Sequence, residues 1–149
     1  MYSYMGHSYT KLLYHILFST KERRPFIRRE IRSRVHDYRG GTIRGLGGTS
    51  LQVGGIEEHV HALAIVPPTV AVSDFLSKLK SNTSQWMKQF CRDFEWQGGY
   101  TALTVSQSEV ERLRRYIRNQ EEHHRKMSFK EELARLLKAH RIKVSDETD

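Results

Sequence analysis

The chain has 149 residues, a length that suits one domain, and carries 25 lysine and arginine residues against 17 aspartate and glutamate residues. The net charge of +8 favours a polyanionic partner, nucleic acid before an anionic membrane surface. A single cysteine excludes an internal disulfide, and no apolar run is long enough to span a membrane. We therefore expect one domain over residues 1–149, in a cytoplasmic protein without a membrane partner.

The first half of the chain predicts three strands and one helix. Ile31, Val35 and Tyr38 recur at spacings of four and three, which is typical of an amphipathic helix. Gly40 and Gly41 are expected to end that helix, because glycine commonly follows the last helical residue. The predicted elements are, in chain order, a strand at about 11–19, the helix at 28–39, a strand at 50–53 and a strand at 59–66.

The second half predicts a helix, a strand and two further helices. Candidate N-terminal caps are Ser73 for the first helix, Ser106 with Glu109 in a capping box for the second, and Ser128 for the third. The segment "GGYTALTVS" is typical of a turn followed by the fourth strand. The resulting order predicts an α+β, ferredoxin-like fold, in which an antiparallel sheet carries helices packed on one face and C-terminal helices follow.

His59 and His61 are one residue apart on the third predicted strand, so both side chains point to the same face of the sheet. Two imidazoles so placed can converge on one metal ion. A strand-surface or hydrogen-bonded core position is the more frequent role of a bare H-x-H pattern. The strand is apolar on both faces, however, and histidines without partners would be costly there.

Tyr116 and Gln120 are four residues apart on the predicted third helix and therefore share a face. A glutamine side-chain oxygen can bind a hard metal ion, and a tyrosine hydroxyl can attack phosphorus once it is activated. Taken alone, a boundary aromatic residue and an ordinary helix former are the more frequent interpretation. His123 and His124 lie near the same face and are candidates to support a metal ion, with solvent exposure as the alternative.

Several motifs in order along the chain resemble the IS200/IS605-type tyrosine transposases and their REP-associated relatives, which belong to the HUH endonuclease class. The similar segments are "YHILFSTKERRPFI", "GGIEEHVHALA", "LKSNTSQWM" and "YIRNQEEHHRK". The resemblance implies cleavage and rejoining of single-stranded DNA through a 5′-phosphotyrosine on Tyr116. It also implies that His59, His61 and Gln120 hold a divalent ion, Mg²⁺ or Mn²⁺, although imidazole ligands by themselves favour later transition metals.

The resemblance further implies DNA with hairpin ends as substrate and a homodimer in which one subunit can complete the site of the other. Glu58 departs from the family pattern, which usually has aspartate before the motif. Phosphate contacts are expected from basic residues, and together these should make DNA affinity fall with salt. The candidate contacts are Lys21, Arg23, Arg24, Arg28, Arg112 and Arg115.

Other functions stay open on the sequence alone. A non-catalytic module that binds single-stranded DNA or RNA on a ferredoxin-like sheet would bind without forming a covalent adduct. A domesticated or inactive descendant of the family is a related possibility. A zinc hydrolase is the weaker rival, because no spaced set of carboxylates accompanies His59 and His61.

Overall fold

A four-stranded antiparallel sheet organises residues 7–144, the part of the chain that this computed structural model describes. The sheet order is 2-3-1-4 in sequence numbering, and every pairing is antiparallel, which confirms the predicted α+β fold. The elements are β1 (Leu13–Ser19), α1 (Arg29–Gly45), β2 (Thr49–Gly55), β3 (His59–Ile65), α2 (Val72–Met87), β4 (Thr101–Thr104), α3 (Val110–Arg118), α4 (Gln120–His123) and α5 (Phe129–Ala139).

The two faces of the sheet carry different helices. Val60, Ala62 and Ala64 of β3 face the main core, which α1 and α2 cover. The alternate residues of β3 point to the opposite face, where Leu63 joins a smaller apolar cluster with Val110 and Ile117 of α3. The alternation read from the sequence is therefore confirmed, and it places the histidines of β3 on the face that α3 covers.

The first helix is longer than predicted, because α1 continues through Gly40 and Gly41 to Gly45. The burial of Ile43, which is fully inaccessible to solvent, stabilises this additional turn and outweighs the low helix propensity of glycine. A Cβ atom on Gly40 would lie 3.4 Å from Oγ of Ser50. This is an ordinary van der Waals distance, so the packing of α1 on β2 does not require glycine at this position.

Two of the three predicted caps are wrong and one is confirmed. α2 begins at Val72 with Ala71 before it, so Ser73 lies inside the helix. Ser106 precedes a short 3₁₀ turn at 107–109, and its hydroxyl lies 3.0 Å from that of Ser108 instead of capping. Oγ of Ser128 accepts a hydrogen bond from the backbone N–H of Glu131 at 3.2 Å, as predicted for α5.

The predicted third helix is broken into α3 and α4 at Asn119, whose φ of −98° and ψ of 25° depart from helical values. None of the helices within residues 7–144 combines the length and the hydropathy that a membrane crossing requires.

Candidate active site

His59 and His61 are both fully buried beneath the helices of the second sheet face. Nε2 of His15, on the neighbouring strand β1, lies 2.8 Å from Nδ1 of His61, so one imidazole donates a hydrogen bond to the other. Burial lowers the pKa of His61 to about 4, which keeps the ring neutral. A neutral imidazole has a free lone pair, the form that a metal ion requires. Oε1 of Glu58 lies 3.9 Å from Nδ1 of His59, beyond hydrogen-bond range.

Arg39 of α1 supports the histidine strand from the side of the main core. Its guanidinium group is fully buried and donates a hydrogen bond of 2.8 Å to the backbone carbonyl of His61. A longer contact of 3.4 Å reaches the carbonyl of Gly54 on β2. Burial lowers the pKa of Arg39 to about 9, so the group remains cationic at neutral pH. A buried charge thus fixes the backbone from which His61 projects.

α3 brings Tyr116 to the histidines, and the adjoining α4 brings Gln120. Oε1 of Gln120 lies 3.1 Å from Nε2 of His59. The ring of Tyr116 meets the ring of His61 edge-on, with 5.9 Å between the centroids. The four residues predicted as nucleophile and metal ligands therefore lie together within one chain.

Close packing of α3 on β2 sets the position of Tyr116. A Cβ atom on Gly54 would lie 2.5 Å from the backbone carbonyl oxygen of Ile117 and 3.0 Å from its Cγ2 atom. Such contacts are too short for any residue with a side chain. Glycine at this point of β2 therefore allows the helix that carries the tyrosine to approach the sheet.

Glu132 of α5 occupies the centre of the site and was missed by the sequence analysis. Its side chain is 1% exposed, and Oε1 lies 3.1 Å from Nε2 of His124, 3.2 Å from Nε2 of His61 and 3.3 Å from Nε2 of His59. One signal in the sequence pointed to it. Glu132 falls between Phe129 and the leucines of α5, so a carboxylate interrupts the apolar stripe of an amphipathic helix.

The other oxygen of Glu132 binds the predicted nucleophile. The hydroxyl of Tyr116 donates a hydrogen bond to Oε2, and Nε2 of Gln120 donates a second one at 3.0 Å. Burial and this contact with Glu132 raise the pKa of Tyr116 above its usual value. Burial alone would raise the pKa of Glu132, but hydrogen bonds from His124, His59 and His61 outweigh it and hold that pKa well below its usual range.

The donor atoms of the site fit a divalent metal ion. One ligand atom from each of four residues, namely His59, His61, His124 and Glu132, lies within 4.8 Å of the others, and Oε1 of Gln120 borders the same group. Two atoms that bind one ion at about 2.1 Å are about 3.0 to 3.4 Å apart, for right-angled to tetrahedral arrangements. The distances of 3.1 to 3.3 Å from Nε2 of His59 to the Gln120 and Glu132 oxygens agree with that spacing.

A cavity of about 600 Å³ adjoins Tyr116 between α3 and α5. Its wall is mainly apolar, with Leu113 and Leu136 on the two helices, and it includes Arg112 and Arg135. The cavity is large enough for one nucleotide, and the two arginines supply charge suited to phosphate.

The six basic residues predicted to contact DNA are all exposed. Three of them form ion pairs at the surface: Lys21 with Glu95, Arg24 with Glu22 and Arg112 with Glu109. Surface pairs of this kind are weak in water, so they leave the cations free to exchange partners. The members without an ion pair in the described part of the chain are Arg23, Arg28 and Arg115.

The match to a family model identifies the class of protein. The model of the IS200-like transposases matches residues 8–120, and the chain therefore belongs to that family. The matched residues include the two histidines of β3, Tyr116 and Gln120, and they stop before α5. The comparison with curated proteins finds no match.

Two solved structures share the fold. The crystal structure of a "putative transposase" from Deinococcus radiodurans R1 is 25% identical, with a TM-score of 0.62, and the alignment covers 80% of this chain and 98% of the other. A REP-associated tyrosine transposase bound to a REP hairpin is 13% identical, with a TM-score of 0.60, and the alignment covers 83% of this chain and 74% of the other.

Proposed function

We propose that this transposase cuts and rejoins single-stranded DNA at the hairpin-flanked ends of an element, with Tyr116 as the nucleophile. The observation that carries the proposal is the convergence of Tyr116 and Gln120 on His59 and His61 within a member of the IS200-like family. A partly buried tyrosine beside a cluster of metal-binding donors is an arrangement suited to phosphoryl transfer.

In the proposed reaction, the oxygen of Tyr116 attacks the scissile phosphorus. A bond forms between that oxygen and phosphorus, and the bond from phosphorus to the 3′ oxygen breaks. The phenolic hydroxyl loses one proton and the departing 3′ oxygen takes one up, so the cut strand ends in a 3′ hydroxyl. The 5′ phosphate stays on the tyrosine. Attack by another 3′ hydroxyl reverses the chemistry, so strands are rejoined without ATP.

His59, His61 and Gln120 would hold a divalent ion, Mg²⁺ or Mn²⁺, next to the scissile phosphate. When bound, the ion polarises the phosphate and offsets negative charge that grows during transfer. The hydrogen bond from Tyr116 to Glu132 orients the hydroxyl toward the metal-binding donors. Arg112 and Arg135 in the neighbouring cavity would bind the DNA backbone.

The proposed substrate is single-stranded DNA with a hairpin, bound in the cytoplasm of a prokaryotic cell. The net charge of +8 and the six exposed cations support a DNA partner, and one protein of the same fold was solved with a REP hairpin. The contacts of Tyr116 and Gln120 with histidines of their own chain support a site completed in cis. The homodimer implied by the resemblance remains a prediction.

The test is covalent trapping. The protein is mixed with 5′- and 3′-labelled oligonucleotides that carry candidate hairpin ends, with Mg²⁺ or Mn²⁺, and resolved on a denaturing protein gel. We expect a metal-dependent adduct that carries the DNA downstream of the cut and is absent in Tyr116→Phe. The matched control is Tyr100→Phe, since Tyr100 is exposed and remote from the histidines in the sequence. DNA binding without an adduct on several hairpins would overturn the catalytic proposal.

A further inference from the structure

We propose that Glu132 is a ligand of the divalent ion, so that α5 completes the metal site of this chain. The inference rests on the proposed function only in that the ion is the one held by His59 and His61. Glu132 lies beyond residues 8–120, the part that the family model matches, so the family match does not assign it a role.

The first support is the position of the carboxylate oxygen. Oε1 of Glu132 lies 3.2 Å from Nε2 of His61 and 3.3 Å from Nε2 of His59. Both values lie at or just beyond the upper end of the range of about 2.7 to 3.2 Å for a hydrogen bond from a neutral imidazole N–H, so they also allow hydrogen bonds in the metal-free site. They match the separation of about 3.0 to 3.4 Å between neighbouring ligand atoms on one ion. The atoms are therefore spaced as ligands.

The second support is the charge balance of a buried group. Glu132 is 1% exposed, and within residues 7–144 no lysine or arginine forms an ion pair with it; its cation-capable partners are all histidines. A buried carboxylate is costly unless a positive charge compensates it. A divalent ion between the imidazoles would supply that charge and bind the lone pairs of the histidines at the same time.

The third support is that the carboxylate is held in one orientation. Tyr116 and Gln120 both donate hydrogen bonds to Oε2, which leaves Oε1 directed at the histidines. Nε2 of His124 also lies 3.1 Å from Oε1. Groups that orient a ligand in this way are a regular part of protein metal sites. A carboxylate with one oxygen fixed by the nucleophile and the other facing the donors is pre-organised for the ion.

The experiment measures Mn²⁺ binding to the full chain without DNA, by isothermal titration calorimetry and by the electron paramagnetic resonance signal of free Mn²⁺. Glu132→Gln keeps the size of the side chain and removes its charge. We expect it to weaken Mn²⁺ affinity by about ten-fold or more, as loss of a ligand should cost at least what loss of an outer partner does. Glu131→Gln is the matched control, because Glu131 is the exposed neighbour on the same helix, and its affinity should stay within about two-fold of the wild type.

An unchanged affinity in a folded Glu132→Gln protein would overturn the inference and leave Glu132 as a packing residue. Circular dichroism reports whether the variant folds. If it does not, Glu132→Asp keeps the charge and withdraws the carboxylate by one methylene; we expect weaker Mn²⁺ binding, and wild-type binding would again overturn the inference. The inference would also be overturned if the wild-type protein bound no Mn²⁺.

The Mn²⁺-binding experiment and the covalent-trapping test of the proposed function can succeed or fail independently. Loss of Mn²⁺ affinity in Glu132→Gln, with no DNA adduct on any hairpin, would support the metal ligand and reject the nuclease. Adduct formation that needs Tyr116, with Mn²⁺ affinity unaffected by Glu132→Gln, would support the nuclease and reject Glu132 as a metal ligand.

Discussion

Tyr116 and Glu132 are joined by a hydrogen bond from the phenolic hydroxyl to Oε2 of the carboxylate. The other oxygen of that carboxylate faces His59 and His61. The proposed nucleophile and the metal-binding donors therefore share one side chain. A change at the metal side of the site should be measurable at the tyrosine.

The ionisation of Tyr116 provides the first prediction. Burial, followed by the hydrogen bond and charge of Glu132, raises the tyrosine pKa above its usual value of 10.0. The difference between the tyrosinate absorbance titrations of the wild type and Tyr116→Phe should therefore appear only above pH 10. Because the folded pKa is the raised one, this group contributes stability below pH 10 and loses it as the pH rises further. A difference that titrates at or below pH 10 would contradict this electrostatic environment, and Glu132→Gln should move the transition to lower pH.

The donor set provides a prediction about metal preference. Three imidazoles next to a carboxylate and an amide oxygen favour later divalent metals over Mg²⁺. We expect Mn²⁺ to bind at least about ten-fold more tightly than Mg²⁺, and Zn²⁺ more tightly than Mn²⁺. Calorimetric titrations of metal-free protein measure the order, with the His59→Ala, His61→Ala double variant as the control that should bind none. Equal affinities for Mg²⁺ and Mn²⁺ would show that the imidazoles are not ligands.

Arg39 provides a prediction about stability. Arg39→Met removes the hydrogen bond to the carbonyl of His61 and leaves buried carbonyl groups with fewer partners. The free energy of unfolding should fall by about 1–3 kcal/mol, measured by urea denaturation. Arg44→Met is the control, because Arg44 is exposed on the same helix, and it should change stability by less than about 0.5 kcal/mol. Equal effects of the two substitutions would mean that Arg39 does not support the strand.

Arg112 provides a prediction about DNA binding. It lines the cavity beside Tyr116, and its ion pair with Glu109 is exposed. If it contacts a phosphate, Arg112→Ala should reduce the magnitude of the slope of log affinity against log salt by about 1. Fluorescence anisotropy of a labelled hairpin oligonucleotide at several salt concentrations measures the slope. Arg44→Ala should leave it unchanged, because α1 ends near the start of β2, at the end of the sheet away from His59.

The sequence was informative where the regular spacing of side chains along a strand or a helix decides which residues share a face. Alternation along β3 placed His59 and His61 on one face, and a spacing of four predicted that Tyr116 and Gln120 lie together, which they do despite the break at Asn119. Where tertiary contacts decide, local patterns failed. Gly40 and Gly41 resemble a helix end, yet the burial of Ile43 extends the helix past them.

Glu132 shows a different limit of sequence reasoning. A glutamate on a helix is usually exposed to solvent. The residues around Glu132 give no indication that it contacts β3, which lies some 70 positions earlier in the sequence. Its place on the apolar stripe of α5 was a usable signal, but its partners became visible only when the helices were packed on the sheet. The cap predicted at Ser73 failed because several nearby residues can begin a helix equally well, whereas Ser106 stands at the cap position of the 3₁₀ turn but makes no side-chain cap hydrogen bond.

The contact between Gly54 and the carbonyl of Ile117 has a consequence for how this protein tolerates change. Gly54 is the strand partner of His61 and contributes no side chain to the site, yet a single methyl group there would force α3 away from the sheet. Tyr116 is the residue next to Ile117 and would move with it. The absence of a side chain at position 54 of β2 thus sets the position of Tyr116 on α3. A substitution of Gly54 would leave every proposed catalytic and metal-binding residue in place in the sequence and still abolish activity by displacing the nucleophile.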